Sequence, residues 1–324
     1  MQPDRNTVLE LSDLQVEFQT LNGLVRIING VDMVIHRGER VGLVGESGSG
    51  KSTYGKTLVG LHDKTAGEVI YKGETLPSVY KPGDFQRFAR SIQMIFQDPY
   101  SSLNPRMTVG EIVGEGLGLH SELSPEQIKD AVAEWLVNVG LEPDHMSRYP
   151  HEFSGGQRQR IGIARALIMG PEFVVCDEPI SALDVSVQAQ VITLLGDLKE
   201  SLGLTILFIA HDLSMVRYVS DRMAVMYLGS LVEVGQANDV FFNPKHPYTE
   251  LLISSNPEPD PETERERVST AIKGEIPSAV NVKPGCRFAD RCPRVMEVCR
   301  SQTPELAEVR DQTSQRVVAC HLYR

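Results

Sequence analysis

The stretch GESGSGKST, Gly45 to Thr53, sets glycines at 45, 48 and 50 ahead of Lys51 and the hydroxyls of Ser52 and Thr53, with Ser47 and Ser49 between the glycines. This is the G-x-x-x-x-G-K-[ST] spacing of a loop that wraps phosphate. The glycines let backbone N–H groups curl round phosphate oxygens, and a helix starting at once behind them adds a favourable dipole. Lys51 then reaches the β- and γ-phosphates, and the Ser52 hydroxyl is placed to ligate Mg²⁺. A second stretch, FVVCDE at 173 to 178, is an apolar run ending in two carboxylates. Asp177 is the candidate to hold Mg²⁺. Glu178, on the other side of the strand's alternation, is the candidate general base for an attacking water.

Both motifs need elements to hold them. Residues 40 to 44, RVGLV, read as a buried strand feeding the glycine loop, and the stretch from Lys51 to Leu61 has helical character. IQMIF at 92 to 96, FVVC at 173 to 176 and TILFI at 205 to 209 read as further buried strands, so the core is expected to be an α/β fold with a mostly parallel sheet. The first forty residues alternate apolar and polar in the manner of an antiparallel sheet. From about 105 to 170 the pattern turns helical, and SPEQIKDAVAEWLVNVGL opens on a capping Ser124 with Pro125 at the first helical position. NPEPDPETERER, from residue 256, is proline-rich and charged and reads as a linker or exposed loop.

Composition limits the function classes. With 324 residues, of which 41% are hydrophobic and 23% charged, the chain can bury a full core. A net charge of −11 disfavours a broad nucleic-acid surface, which draws on clustered Lys and Arg. No apolar run approaches the roughly 18 to 20 residues of a membrane helix, and the start shows no basic segment followed by an apolar one, so a cytoplasmic location is expected.

Four further segments carry a family resemblance. FSGGQRQR at 153 to 160 resembles the signature motif of ABC-type ATPases, with Phe153 where leucine is commonest. IFQDP with Gln97 resembles that family's Q-loop, SALD ending at Asp184 its D-loop, and IAHDL with His211 its switch histidine. The resemblance implies that Ser154, Gly155, Gly156 and Gln157 cap the γ-phosphate held by the opposite subunit, so that hydrolysis needs a dimer. It also implies that Gln97 bridges Mg²⁺ and the lytic water to membrane subunits, and that His211 holds the water with Glu178. Phe18 matches the upstream aromatic that stacks on adenine, although a strand phenylalanine also suits a core. The fold implied is an ABC-type nucleotide-binding domain over residues 1–240, with a RecA-like parallel core, an antiparallel β subdomain and an α-helical subdomain at about 98–170. A C-terminal extension follows over 241–324.

RYPHEFSGGQRQR, DEPISALDVSVQAQ, NPKHPYTELL, GCRFADRCP and the final ACH are similar to the ATPase subunits of bacterial oligopeptide and dipeptide importers, a group that also serves nickel and glutathione uptake. The resemblance implies an ATPase at the cytoplasmic face of the membrane, using ATP and Mg²⁺. Its implied partners are two transmembrane permease subunits, a second ATPase subunit (a paralogue or itself) and, indirectly, an extracytoplasmic peptide-binding protein. A soluble ABC ATPase acting on nucleic acid or ribosomes is the alternative class.

Cys286, Cys292, Cys299 and Cys320 leave five, six and twenty residues between neighbours. A disulfide framework does not suit a reducing compartment, and the spacing lacks the paired C-x-x-C of common zinc sites. Some members of the importer group with this pattern carry a [4Fe–4S] cluster, so the resemblance implies one here, with zinc or unligated thiols as alternatives. Cys176, on the acidic strand, reads as a small buried hydrophobe.

Overall fold

The alternating first forty residues fold as two long strands, β1 (Thr7–Thr20) and β2 (Gly23–His36), paired as an antiparallel hairpin with several register shifts. The computed structural model describes residues 6–21, 23–255, 284–310 and 315–323. The linker expected at 256–267 lies outside them. Beyond the hairpin follow β3 (Arg40–Val44), α1 (Lys51–Leu58), β4 (Ala66–Tyr71), β5 (Glu74–Thr75), α2 (Pro82–Phe88) and β6 (Ile92–Ile95). A helical stretch comes next: α3 (Pro99–Ser102), α4 (Val109–His120), α5 (Pro125–Asn138) and α6 (Gly155–Leu167). The chain then runs through β7 (Phe173–Asp177), α7 (Val185–Leu202), β8 (Thr205–Ala210), α8 (Leu213–Val219), β9 (Arg222–Tyr227) and β10 (Ser230–Gln236). Two short helices, α9 (Ala237–Phe242) and α10 (Pro247–Ser254), precede the last strands, β11 (Ala307–Arg310) and β12 (Gln315–Val318).

The hairpin joins β4 and β5 in a four-stranded antiparallel sheet of order β2-β1-β4-β5. An eight-stranded sheet of order β11-β12-β10-β9-β3-β8-β7-β6 carries the core. From β9 to β6 its pairings are parallel. These strands are continuous apolar runs because both faces are covered, and alternate residues serve opposite cores. Val174, Cys176, Ile206 and Phe208 join the cluster that holds the helical stretch, whereas Phe173, Val175, Leu207 and Ile209 join the one beneath the antiparallel sheet, with Tyr54 and Leu58 of α1.

Three of these helices, α4, α5 and α6, start on reciprocal caps, in which a side-chain oxygen accepts a backbone N–H and the residue three on returns the bond. Thr108 with Glu111, Ser124 with Gln127 and Ser154 with Gln157 are such pairs. The expected helix from Lys51 to Leu61 stops earlier, at Leu58, because Gly60 turns the chain with a φ of 79°.

The C-terminal segment is not a separate layer. Strand β12 pairs with β10 and so extends the main sheet by two antiparallel strands. A fully buried ion pair pins it: Arg316 Nη1 lies 3.3 Å from Glu233 Oε1, and the Glu233 carboxylate also accepts the backbone N–H groups of Lys245 and His246 at 2.9 Å each. A buried carboxylate needs such donors, since an uncompensated charge there would be strongly unfavourable. Among the described residues, no helix is long and apolar enough to cross a membrane.

Candidate functional site

Strand β3 ends at Val44 and the chain turns through Gly45–Gly50 into α1. A side chain at position 45 would place its Cβ 2.2 Å from the Met226 carbonyl, so only glycine lets the loop pass β9. Gly50 caps α1 at φ 104°, a left-handed conformation open to glycine, and supplies no side chain to bond the first helical N–H groups. An anion is therefore the natural partner of this helix start.

Lys51 is only 4% exposed, and its ammonium donates to the carbonyls of Gly45 at 2.8 Å and Glu46 at 3.0 Å. Burial pulls its pKa down, while the charges of Glu178, Asp177 and Glu46 push it back up. The loop's own carbonyls thus hold the cation ready for phosphate. Ser52 donates its hydroxyl to Asp177 Oδ1 at 2.8 Å, and burial raises the pKa of that carboxyl against the stabilising pull of Ser52 and Lys56. A hydroxyl and a carboxylate, both hard oxygen donors, suit Mg²⁺, so Ser52 and Asp177 are the residues that would hold it.

Glu178 directly follows β7 and sits at φ 45°, rare for a residue with a side chain, with its N–H bonded to the Ile209 carbonyl of β8 at 2.9 Å. Strain of this kind gathers at functional sites, where neighbours hold the residue in place. The Glu178 carboxylate accepts a hydrogen bond from Gln97 Nε2 at 2.9 Å and lies 3.4 Å from His211 Nδ1. Gln97 follows β6 and His211 follows β8, so three adjacent strand ends converge on one carboxylate. Such crevices at the carboxyl ends of parallel strands are where open α/β sheets bind ligands. The cavity here measures about 550 Å³ and is lined by Ile27, Ser47, Gly48, Gly50, Lys51, Ser52, Thr53, Gln97, Glu178 and His211. A larger groove of about 720 Å³ reaches Gln97 and Asp177 from the side of the helical stretch, between Phe85, Phe88 and Leu119.

Other sequence candidates stand apart. Phe18 is partly buried and packs edge-on against His62, ring centroids 5.3 Å apart, on the hairpin. Ser154, Gly155, Gly156 and Gln157 form the start of α6 and are absent from the cavity lining. Gly156 is a packing glycine as well, since a Cβ there would meet Val187 of α7 at 2.4 Å. Asp184 is the exposed N-cap of α7 and makes no side-chain capping bond. Phe153, in the place of the commoner leucine, is buried against the ring of His145. Cys176 is fully buried and its thiol is pushed up to about 12, in keeping with an inert core position.

The four C-terminal cysteines approach one another: burial first, then the charge of the other three, lifts the Cys286 thiol to about 11. Burial raises Cys292 and Cys320 likewise. Yet among the described residues no group of three or more His, Cys, Asp or Glu side chains is arranged to hold a metal ion. The structure therefore shows neighbouring thiols and no assembled ligand set for the iron–sulfur cluster or zinc that the resemblance implies. Sequence reasoning also misses two contacts to the phosphate loop, from Tyr248 and Arg291, for which no local motif exists.

A glycine-wrapped helix start, a buried lysine and a carboxylate strand end in a parallel sheet define a nucleoside-triphosphatase of the phosphate-loop class. An ABC transporter family profile matches residues 28–181, and a profile of the oligopeptide/dipeptide transporter C-terminal region matches residues 232–299. A putative oligopeptide transport ATP-binding protein, YkfD of Bacillus subtilis, is 52% identical over 99% of this chain and 97% of its own length. The oligopeptide transport ATP-binding protein OppF of Escherichia coli is 46% identical over 93% of both chains. Among solved structures, cbiO1 of Clostridium perfringens, part of the ABC transporter complex cbiONQ, superposes with a TM-score of 0.64 at 27% identity, covering 74% of this chain and 92% of that one. A dimeric bacterial ABC transporter cassette gives 0.65 at 27% identity, covering 71% and 98%. The chain belongs to the ABC transporter ATP-binding proteins, in the branch that carries the oligopeptide/dipeptide transporter C-terminal region, and it is an ATPase.

Proposed function

We propose that this ATPase energises import of di- or oligopeptides from the cytoplasmic face of the membrane, through two permease subunits fed by an extracytoplasmic peptide-binding protein. One observation carries the catalytic part: a single carboxylate, Glu178, is held by Gln97 and His211 over the phosphate loop. In this reading Glu178 is the general base, Gln97 and His211 orient the lytic water, and Lys51 with the loop N–H groups holds the phosphates. Mg²⁺, held by Ser52, Asp177 and Gln97, would neutralise phosphate charge when bound. Phe18 stacks on adenine from the hairpin.

Ser154, Gly155, Gly156 and Gln157 would serve the site of a second ATPase subunit, with Asp184 at the same interface. Their absence from the lining of the chain's own cavity supports that reading, as does a similar cassette described as a dimer in a post-hydrolysis state with ADP and Pi. The groove beside Gln97 is the seat for a permease segment, which would pass permease movement to the water-holding residue. The proposed division is an ATPase unit at 1–240, with its helical part at about 98–170, and an extension at 241–324.

The deciding experiment is co-expression with two permease subunits, followed by ATPase assay of the purified complex with peptide-loaded binding protein. Co-purification and peptide-stimulated turnover are expected. Enrichment on ribosomes or DNA instead would overturn the importer reading, and stimulation by nickel or glutathione alone would reassign its cargo.

The four cysteines carry a second, separate proposal, a [4Fe–4S] cluster with zinc as the alternative, supported only by their convergence. Anaerobically purified protein is expected to show roughly four irons per chain and broad absorbance near 400 nm, both lost in Cys292→Ser. One zinc without iron would select the alternative, and protein free of both metals would leave a cluster of thiols.

A further inference from the structure

Two side chains from the C-terminal part of the chain converge on Glu46, the second residue of the phosphate loop. The Arg291 guanidinium grips its carboxylate at both oxygens, Nη1 to Oε2 at 2.7 Å and Nη2 to Oε1 at 2.8 Å. Only 4% of the Arg291 side chain and 18% of that of Glu46 are exposed. The same guanidinium donates to the Tyr227 hydroxyl at 3.3 Å and packs over the rings of Tyr227 and Phe288. From the other side, the Glu46 N–H donates to the Tyr248 hydroxyl at 2.8 Å. Glu46 is thus fixed at its backbone and at its side chain by residues more than two hundred positions away.

An acid at this place needs compensation. The loop must accept a polyanion, and Glu46 already bears electrostatically on Lys51, the cation meant for the phosphates. Left unpaired, its charge would repel nucleotide and compete for that ammonium. A bidentate arginine cancels the charge and fixes the geometry together.

We propose that Arg291 is a positioning residue for nucleotide binding: by neutralising Glu46 it keeps the phosphate loop receptive, and it makes the turn between Cys286 and Cys292 a working part of the ATP site. The turn is suited to this. Its backbone is tied by Cys286 N–H to the Cys299 carbonyl at 2.7 Å, Ala289 N–H to the Cys286 carbonyl at 3.0 Å and Arg291 N–H to the Phe288 carbonyl at 3.0 Å, so Arg291 is presented from a braced loop. The inference rests on the reading of Gly45–Thr53 as the ATP phosphate site.

The test compares Arg291→Met, Glu46→Gln and the double variant in the assembled transporter, measuring KM for ATP and kcat. Arg291→Met is expected to raise KM about ten-fold while kcat falls less than about three-fold, since the effect is on binding charge rather than on the reacting water. Glu46→Gln, which removes the acid and leaves the arginine, is expected to lower KM by about two- to three-fold, and the double variant to recover most of the lost affinity. A mere structural brace predicts the opposite for Glu46→Gln, a rise matching that of Arg291→Met, with no recovery in the double. Either that pattern or wild-type KM in Arg291→Met overturns the inference. Should Arg291→Met fail to fold, the direction of the KM change in Glu46→Gln decides it alone. A wild-type chain unable to bind MgATP would overturn the phosphate-site reading and this inference with it, whereas normal wild-type binding beside an unaltered Arg291→Met overturns this inference only.

Discussion

Glu178→Gln is expected to cut ATP turnover by about three orders of magnitude while leaving MgATP binding intact, because the amide keeps the residue's shape but cannot take a proton. The neighbouring geometry makes this a clean change. The N–H bond to the Ile209 carbonyl that holds the left-handed backbone is untouched, and one side-chain oxygen remains to accept from Gln97. With hydrolysis blocked and nucleotide retained, the variant should accumulate as a closed ATPase pair, seen as an ATP-dependent shift to dimer in size-exclusion chromatography. Turnover within a few-fold of wild type in the assembled transporter would remove Glu178 from the base role. ATP drives transport only if it binds the closed pair more tightly than the open one, so a trapped dimer also measures the coupling itself.

Lys51→Ala should fail one step earlier. The ammonium is buried, held by the Gly45 and Glu46 carbonyls, and surrounded by the charges of Glu178, Asp177 and Glu46. Its removal leaves Glu178 and Asp177 without that cation beside the phosphate cradle, where charged hydrogen bonds carry more weight than in water. A loss of about a hundred-fold in affinity for MgATP is expected, read by titration with a fluorescent nucleotide analogue. Affinity within a few-fold of wild type would count against the loop as the phosphate site. The two variants therefore separate by assay: the first binds without turning over, the second barely binds.

Much of this site is legible in the residues alone. The phosphate loop and the acidic strand are local motifs whose chemistry depends on spacing within a few residues, and the strands that carry them stand out as apolar runs because a parallel strand covered on both faces has no polar alternation. Ser124 and Pro125 likewise mark the start of α5, which begins at Pro125 with Ser124 as its cap. Legibility falls where burial depends on distant partners. Strands β9 and β10 lie outside the strands read from the sequence. So does β12, only four residues long, whose place is set by pairing with β10 and by one buried ion pair, Arg316 with Glu233.

The chain's own sequence, then, determined that the protein is a phosphate-loop ATPase and put Gly45–Thr53 and the end of Phe173–Glu178 forward as its site, since a helix start and a strand end create their chemistry locally. Only the tertiary structure decided what surrounds them. It brought Gln97 and His211 onto Glu178 from two other strand ends, kept the α6 start out of the chain's own cavity, and set the four cysteines near one another. It also laid Arg291 and Tyr248 on Glu46 across separations of 245 and 202 residues. Contacts of that range follow from the topology of one shared sheet and leave no periodicity or spacing in the sequence by which to find them.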